Sequence, residues 1–229
     1  MNFFDSLIGD VFALTENLSE RDFALTQKLW KDSGYSQVIL QRDTAFELEG
    51  TGFNLVTSGN VEDGITVIGE DLVEISKSRS FARISIVQIE DEQDQQKAYN
   101  LIRKIEYVKY HHFPEGYMIR TASRSHKEAV RVSKKAIKDE ISFQKVGSLL
   151  ISKYKENPAV KGVRVIYITS TEAPYRQLET LAKRSNDITE TLNHIMNSVK
   201  FDCDTCNLKP ICDEVEGMKE LHFKNSNGM

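Results

Sequence analysis

The sequence predicts an α+β fold: a mixed sheet with packed helices, a helical N-terminal lead-in, and a C-terminal helix leading to a cysteine cluster. Three observations carry that reading. Short β-branched runs are interspersed with stretches of helical period, without the strict βαβ repeat of a doubly wound fold. A chain of 229 residues has room for one large domain or two small ones. Its three cysteines all fall between positions 203 and 212. The expected division is residues 1–40 as lead-in, 41–170 as the central α+β domain, and 171–229 as a helical segment with a Cys-rich metal-binding tail.

The elements follow in chain order. Residues 3–18 place Phe3, Phe4, Leu7, Ile8, Val11, Phe12, Leu14 and Leu18 at helical spacing. Ser19 before Glu20, Arg21 and Asp22 reads as an N-cap, so a second helix is expected through Trp30, ended by Ser33-Gly34. Residues 37–40 and 44–49 read as short strands, and Phe53 to Val56 as another, set among turn-forming glycines at 50, 52, 59 and 64. Ile65 to Ile68 and Phe81 to Ile89 are β-branched runs that predict strands. An acidic loop over 90–96 leads into a helix from Ala98 to Tyr110, which Pro114-Glu-Gly116 ends. Residues 117–126 show no clear period. Helices are expected over 127–138 and 142–154, a strand over 163–169, and a long polar helix over 172–199 with a break near Ser185-Asn186.

Composition bounds the function. The hydrophobic fraction of 40%, charged fraction of 28% and net charge of −4 are those of a soluble globular protein, with no push toward nucleic acid. No apolar run approaches the roughly 18 residues of a membrane span, so no membrane association is expected. Asp5 and Asp10 stand where a signal peptide would carry basic residues, and a cytoplasmic protein is expected. In a reducing compartment, an odd number of clustered thiols favours metal over disulfide.

Two regions carry candidate chemistry. From Arg103 to Lys138 ten lysines and arginines face three acids, a local +7 in a chain of net −4. Arginine forks match phosphate geometry, so the stretch suits a polyphosphate; the same composition also describes a solvated helix face. Its aromatics, Tyr107, Tyr110, Phe113 and Tyr117, form no nucleic-acid stacking motif. The adjacent His111 and His112 are expected to point apart rather than share a metal. The second region is Cys203, Cys206 and Cys212. Thiolates bind zinc or hold an iron–sulfur cluster. Zinc needs a fourth ligand, for which His222 or a carboxylate is a candidate, whereas a four-iron cubane on three cysteines leaves one iron open.

Four stretches, in order, give the chain a family resemblance. They are Thr44 to Leu48, Asp63-Gly-Ile-Thr-Val-Ile-Gly-Glu-Asp-Leu72, Arg131-Val-Ser-Lys-Lys-Ala136 with the helix and strand that follow, and the helix into Cys203-Asp-Thr-Cys206. Together they resemble the middle of the CO-methylating acetyl-CoA synthase, the catalytic subunit of the carbon monoxide dehydrogenase/acetyl-CoA synthase complex, over roughly residues 40 to 215. The resemblance implies a 4Fe-4S cluster on Cys203, Cys206 and Cys212, with nickel as a lesser candidate and zinc as the alternative. It implies CoA or an acyl-CoA on the basic stretch, through Arg120, Arg124, Arg131, Lys134 and Lys135. Carbon monoxide dehydrogenase or corrinoid protein subunits are the implied partners.

The sequence also departs from the family. The fourth cluster cysteine, the Cys-Gly-Cys that holds the second nickel, and the N-terminal domain are missing, and the family's tryptophan in the CoA stretch has no counterpart, Trp30 being the only Trp. The expectation is therefore a truncated relative that does not perform the full condensation alone. The alternative is a non-catalytic iron–sulfur or zinc module for redox or protein interaction. A nucleic-acid binder using the basic stretch is the weakest reading, because the chain is acidic overall.

Overall fold

The computed structural model describes residues 3–122, 126–196, 209, 211–212 and 214–216. It opens with helix α1 (Asp5–Thr15) and strand β1 (Glu20–Phe23). The sheet continues through β2 (Thr44–Thr57), β3 (Gly64–Ile68) and β4 (Arg79–Ile89). Helix α2 (Gln95–Val108) follows, then β5 (Tyr117–Ala122), β6 (Lys127–Ser133) and the short α3 (Lys134–Lys138). Helix α4 (Phe143–Lys155), strand β7 (Val160–Ile168) and the long α5 (Tyr175–Met196) complete the described elements.

Among the described residues, seven strands form one sheet in the order β1-β3-β7-β4-β2-β6-β5. β2 runs parallel to β4 and β3 parallel to β7, while every other pairing is antiparallel. The sheet is therefore mixed and the class is α+β, as the irregular order of strand and helix signals predicts.

The middle strands are buried on both faces, which requires a helical layer on each side. On one face α4 packs its Phe143 against Tyr167 of β7, with ring centroids 4.4 Å apart, and Tyr167 stacks in turn near Phe81 of β4. On the other face α5 anchors through Tyr175, whose hydroxyl donates to the Ser170 carbonyl at 2.8 Å, and through Ser185, whose hydroxyl donates to the Asn54 carbonyl at 3.0 Å. One apolar cluster takes side chains from α1, from every layer of the sheet and helices, and from Val215.

The helix expected over Glu20–Trp30 is not formed. Residues 20–23 instead become β1, the edge strand beside β3. The charges that suggested a helix start take tertiary partners instead: Arg21 pairs with Glu74, in the turn after β3, at 2.8 Å, and Asp22 with Arg164 at 2.9 Å and the Thr66 hydroxyl at 2.6 Å. The stretch has no apolar stripe to hold a helix down, so tertiary ion pairs decide its conformation.

Residues 37–40 form no strand; a 3-10 turn at Gln41–Asp43 follows them, and 44–57 is one continuous strand rather than two. Gly50 and Gly52 lie inside it. They are glycine because of close approach, not because the chain turns: a Cβ at Gly50 would meet the Phe81 carbonyl, and one at Gly52 the Glu128 carboxylate.

The helix expected over 127–138 is also corrected. Residues 127–133 form β6, and only Lys134–Lys138 is helical, capped by the Ser133 hydroxyl, which accepts from the Ala136 amide at 3.1 Å. The unperiodic stretch before it supplies β5, the opposite edge of the sheet. The burial of β6 alternates through Glu128, Val130 and Val132. A glutamate at a buried position concealed the period of two. Helix α5 runs through Ser185-Asn186 without a break.

Glu128 is buried because Arg83 of β4 meets it across Gly52. Nη2 lies 2.6 Å from Oε2 and Nε 2.9 Å from Oε1. The two side chains are 3% and 1% exposed. Arg83 also donates to the Ser85 hydroxyl at 2.9 Å. Burial opposes the Arg83 charge, but the charge and hydrogen bonds of Glu128 outweigh it and hold the guanidinium pKa above its ordinary value.

Candidate functional site

Of the five basic residues expected to hold phosphate, the four that are described, Arg120, Arg131, Lys134 and Lys135, are built on β5, β6 and α3. Arg120 lies opposite Ala129, and Arg131 opposite Met118, so the two arginines are diagonal neighbours on one face of the β5–β6 ladder. Strand alternation puts that face on the α5 side, because Glu128, Val130 and Val132 point the other way, toward Arg83 and α4. Arg120 is exposed. Arg131 is partly covered: it donates to Glu47 at 2.7 Å through Nε and to the Ile39 carbonyl at 2.8 Å.

Lys134 and Lys135 begin α3, immediately after β6. Lys134 is exposed and donates to the Arg42 carbonyl at 2.9 Å. Lys135 pairs with Glu115 at 3.0 Å, and that hydrogen bond raises the ammonium pKa and lowers that of the carboxyl. Lys135 lines a cavity of about 330 Å³ together with Trp30, Lys28, Lys31 and Glu115. Trp30 is fixed there by its Nε1 donating to the Glu115 carbonyl at 2.7 Å, with the Lys145 ammonium 5.6 Å from its ring centre. The basic set thus divides into an arginine pair on the α5 side and Lys135 beside the Trp30 cavity. Arg124 lies outside the described residues.

Next to β6 a larger hollow of about 590 Å³ lies against α5, lined by His126, Arg176, Lys183, Asp187 and Glu190. Sequence reading missed it, since it joins residues more than 40 positions apart. Burial lowers the His126 pKa, and the Lys109 charge lowers it further. Burial raises that of Asp187. Signs are mixed along this hollow, so it has no single-charge preference.

Of the three cysteines, Cys203 and Cys206 lie outside the described residues. Cys212 is half-buried in a short helical stretch against α5, its Sγ 3.8 Å from the Thr191 hydroxyl. Val215 beside it is fully buried, and Glu214 pairs with Arg184 of α5 at 2.8 Å. The stretch that carries the third cysteine is thereby tied to the main core. Among the described residues no group of three or more His, Cys, Asp or Glu side chains could hold a metal ion. His111 and His112 do point apart: His111 is exposed and lies on Tyr107 with centroids 4.1 Å apart, while His112 is buried. No helix among the described residues is long and apolar enough to cross a membrane.

A family model described as the CO dehydrogenase/acetyl-CoA synthase complex beta subunit matches residues 32–173. Comparison with curated proteins yields no match.

Proposed function

We propose that this chain, which belongs to the CO dehydrogenase/acetyl-CoA synthase complex beta subunit family, is an acetyl-CoA synthase-like protein that binds CoA on its basic strip and carries an iron–sulfur cluster on Cys203, Cys206 and Cys212. The observation that carries the reading is the span of the family match: residues 32–173 contain β2 through β7, and with them the whole basic strip.

The CoA part rests on charge and geometry. The diphosphate and 3′-phosphate of CoA need several cationic donors within reach of one another. Arg120 and Arg131 supply two such donors on one face of the β5–β6 ladder, Lys134 and Lys135 follow where β6 ends, and Arg124 belongs to the set by sequence. The Arg131 fork is held by Glu47, so it is already oriented, and its 22% exposure leaves it within reach of a ligand. Partner subunits of a carbon monoxide dehydrogenase complex fit the same family reading.

The cluster part rests on donor chemistry. Three thiolates within ten residues suit a cubane edge better than a redox pair. Cys212 is half-buried beside Val215, which limits solvent on one side of such a cluster. A bound cluster would supply an iron open to an external ligand, or a redox centre. Anaerobic purification with metal analysis tests this part. Roughly four irons per chain with a charge-transfer absorbance supports it; stoichiometric zinc without iron contradicts it and favours a structural zinc module.

A further inference from the structure

Around the Arg83–Glu128 pair, the interior of the fold contains polar atoms that find no partner. Both ring nitrogens of His112 and the hydroxyls of Tyr117 and Tyr167 are buried without a hydrogen-bond partner among the described residues. His112 and Tyr117 are 2% exposed and Tyr167 is fully buried. The three come from a loop, from β5 and from β7, so no single local irregularity explains them.

They share a centre. Tyr167 lies opposite Arg83 in the β4–β7 ladder. The electrostatic influence of Arg83 reaches all three groups: it adds to burial in lowering the His112 pKa and works against burial at both phenols. Asn54 and Tyr154 belong to the same polar region. The Tyr154 hydroxyl donates to the Asn54 side-chain oxygen at 2.7 Å, and that oxygen lies 3.4 Å from Arg83 Nη1. Gly52 keeps room for the pair, since any side chain there would strike the Glu128 carboxylate.

Native interiors rarely leave polar side chains unsatisfied, and the usual remedy is buried water bridging two to four such groups. We propose that ordered water is bound inside this fold, hydrogen-bonded to His112, Tyr117 and Tyr167 around the Arg83–Glu128 pair. The chemistry selects water over other small occupants. A cation meets the Arg83 charge, and both oxygens of Glu128 are already engaged by that guanidinium. An anion finds that guanidinium already neutralised. Neutral imidazole and phenol each both donate and accept, which matches water.

A crystal structure that shows ordered solvent, joined to urea unfolding of Tyr117→Phe and Tyr167→Phe, tests the proposal. Water density within hydrogen-bond reach of His112 and of either phenol, with lower urea midpoints for both variants, is the expected result. Midpoints unchanged or raised, with no density at these groups, would overturn it, because removing a dry, unpaired hydroxyl relieves the fold. Density for an ion or another solute in place of water would overturn it as well.

Discussion

Strand β6 contributes to two arginine–glutamate pairs, one on each face, and their contrast organises the molecule. Glu128 faces inward to Arg83 and Arg131 faces outward to Glu47, each pair closing to 2.6 Å. The chemistry and the distance are the same, while the exposure differs: 3% and 1% for the inner pair against 22% and 29% for the outer. Burial, rather than geometry, decides what each pair can do. The inner arginine cannot release its carboxylate without leaving a charge in the core. The outer one can exchange Glu47 for a phosphate at little cost, since a partly solvated pair is worth at most about 1 kcal/mol.

The contrast breaks most visibly at Glu128. Glu128→Ala leaves Arg83 buried and uncompensated, and a stability loss of about 3–5 kcal/mol is expected in urea unfolding. Combining it with Arg83→Met recovers most of that loss; a double variant as weak as the single would show that the cost is packing rather than charge.

The pH dependence of the inner region comes next. Burial first, then the Arg83 charge, pulls the His112 pKa down to about 3, with Lys153 acting the same way and Asp32 opposing. An unfolded histidine titrates near 6.5. Between those values the unfolded chain binds a proton that the folded chain does not, so folding stability falls as pH drops from about 6.5 toward 3. The slope from this group is at most about 1.4 kcal/mol per pH unit. His112→Gln should flatten that part of the profile; an unchanged slope would place His112 in contact with solvent.

A smaller effect tests the space around the inner pair. Gly52→Ala drives a methyl into the Glu128 carboxylate and is expected to cost about 1–3 kcal/mol by overpacking, read as a lower thermal midpoint. The smallest effect on folding belongs to the outer pair. Arg131→Ala is expected to change stability by about 1 kcal/mol or less, while weakening CoA about tenfold by calorimetric titration, because a charge-assisted hydrogen bond is lost.

The two regions also differ in how far they could be read from sequence. Strands β3, β4 and β7 follow from their β-branched runs, and helices α1, α2, α4 and α5 from the helical spacing of their apolar residues, which holds even where, as in α5, the segment is mostly polar. Segments 20–30 and 127–133 misled because charge sits where local rules expect solvent. Asp22 and Arg21 read as a helix start but pair with Arg164 of β7 and with Glu74 in the turn after β3, and Glu128 breaks the alternation of β6 because its partner is 45 residues away. The inner pair was hidden for that reason: neither Arg83 within a β-branched run nor Glu128 within a basic one announces the other. Gly52 was the available signal, and a glycine in mid-strand reads as a turn until the neighbouring strand is known. The outer strip was visible as composition, but that Arg120 and Arg131 share one face needed the β5–β6 register.

The central claim, that the outer basic strip is a CoA site in an acetyl-CoA synthase-like chain, is tested most directly by thermal unfolding with and without CoA. At about a hundredfold excess over the dissociation constant, CoA is expected to stabilise the protein by ~2.7 kcal/mol, and the shift should vanish in Arg120→Ala with Arg131→Ala. No stabilisation at saturating CoA, or a shift that survives in the double variant, would contradict the claim.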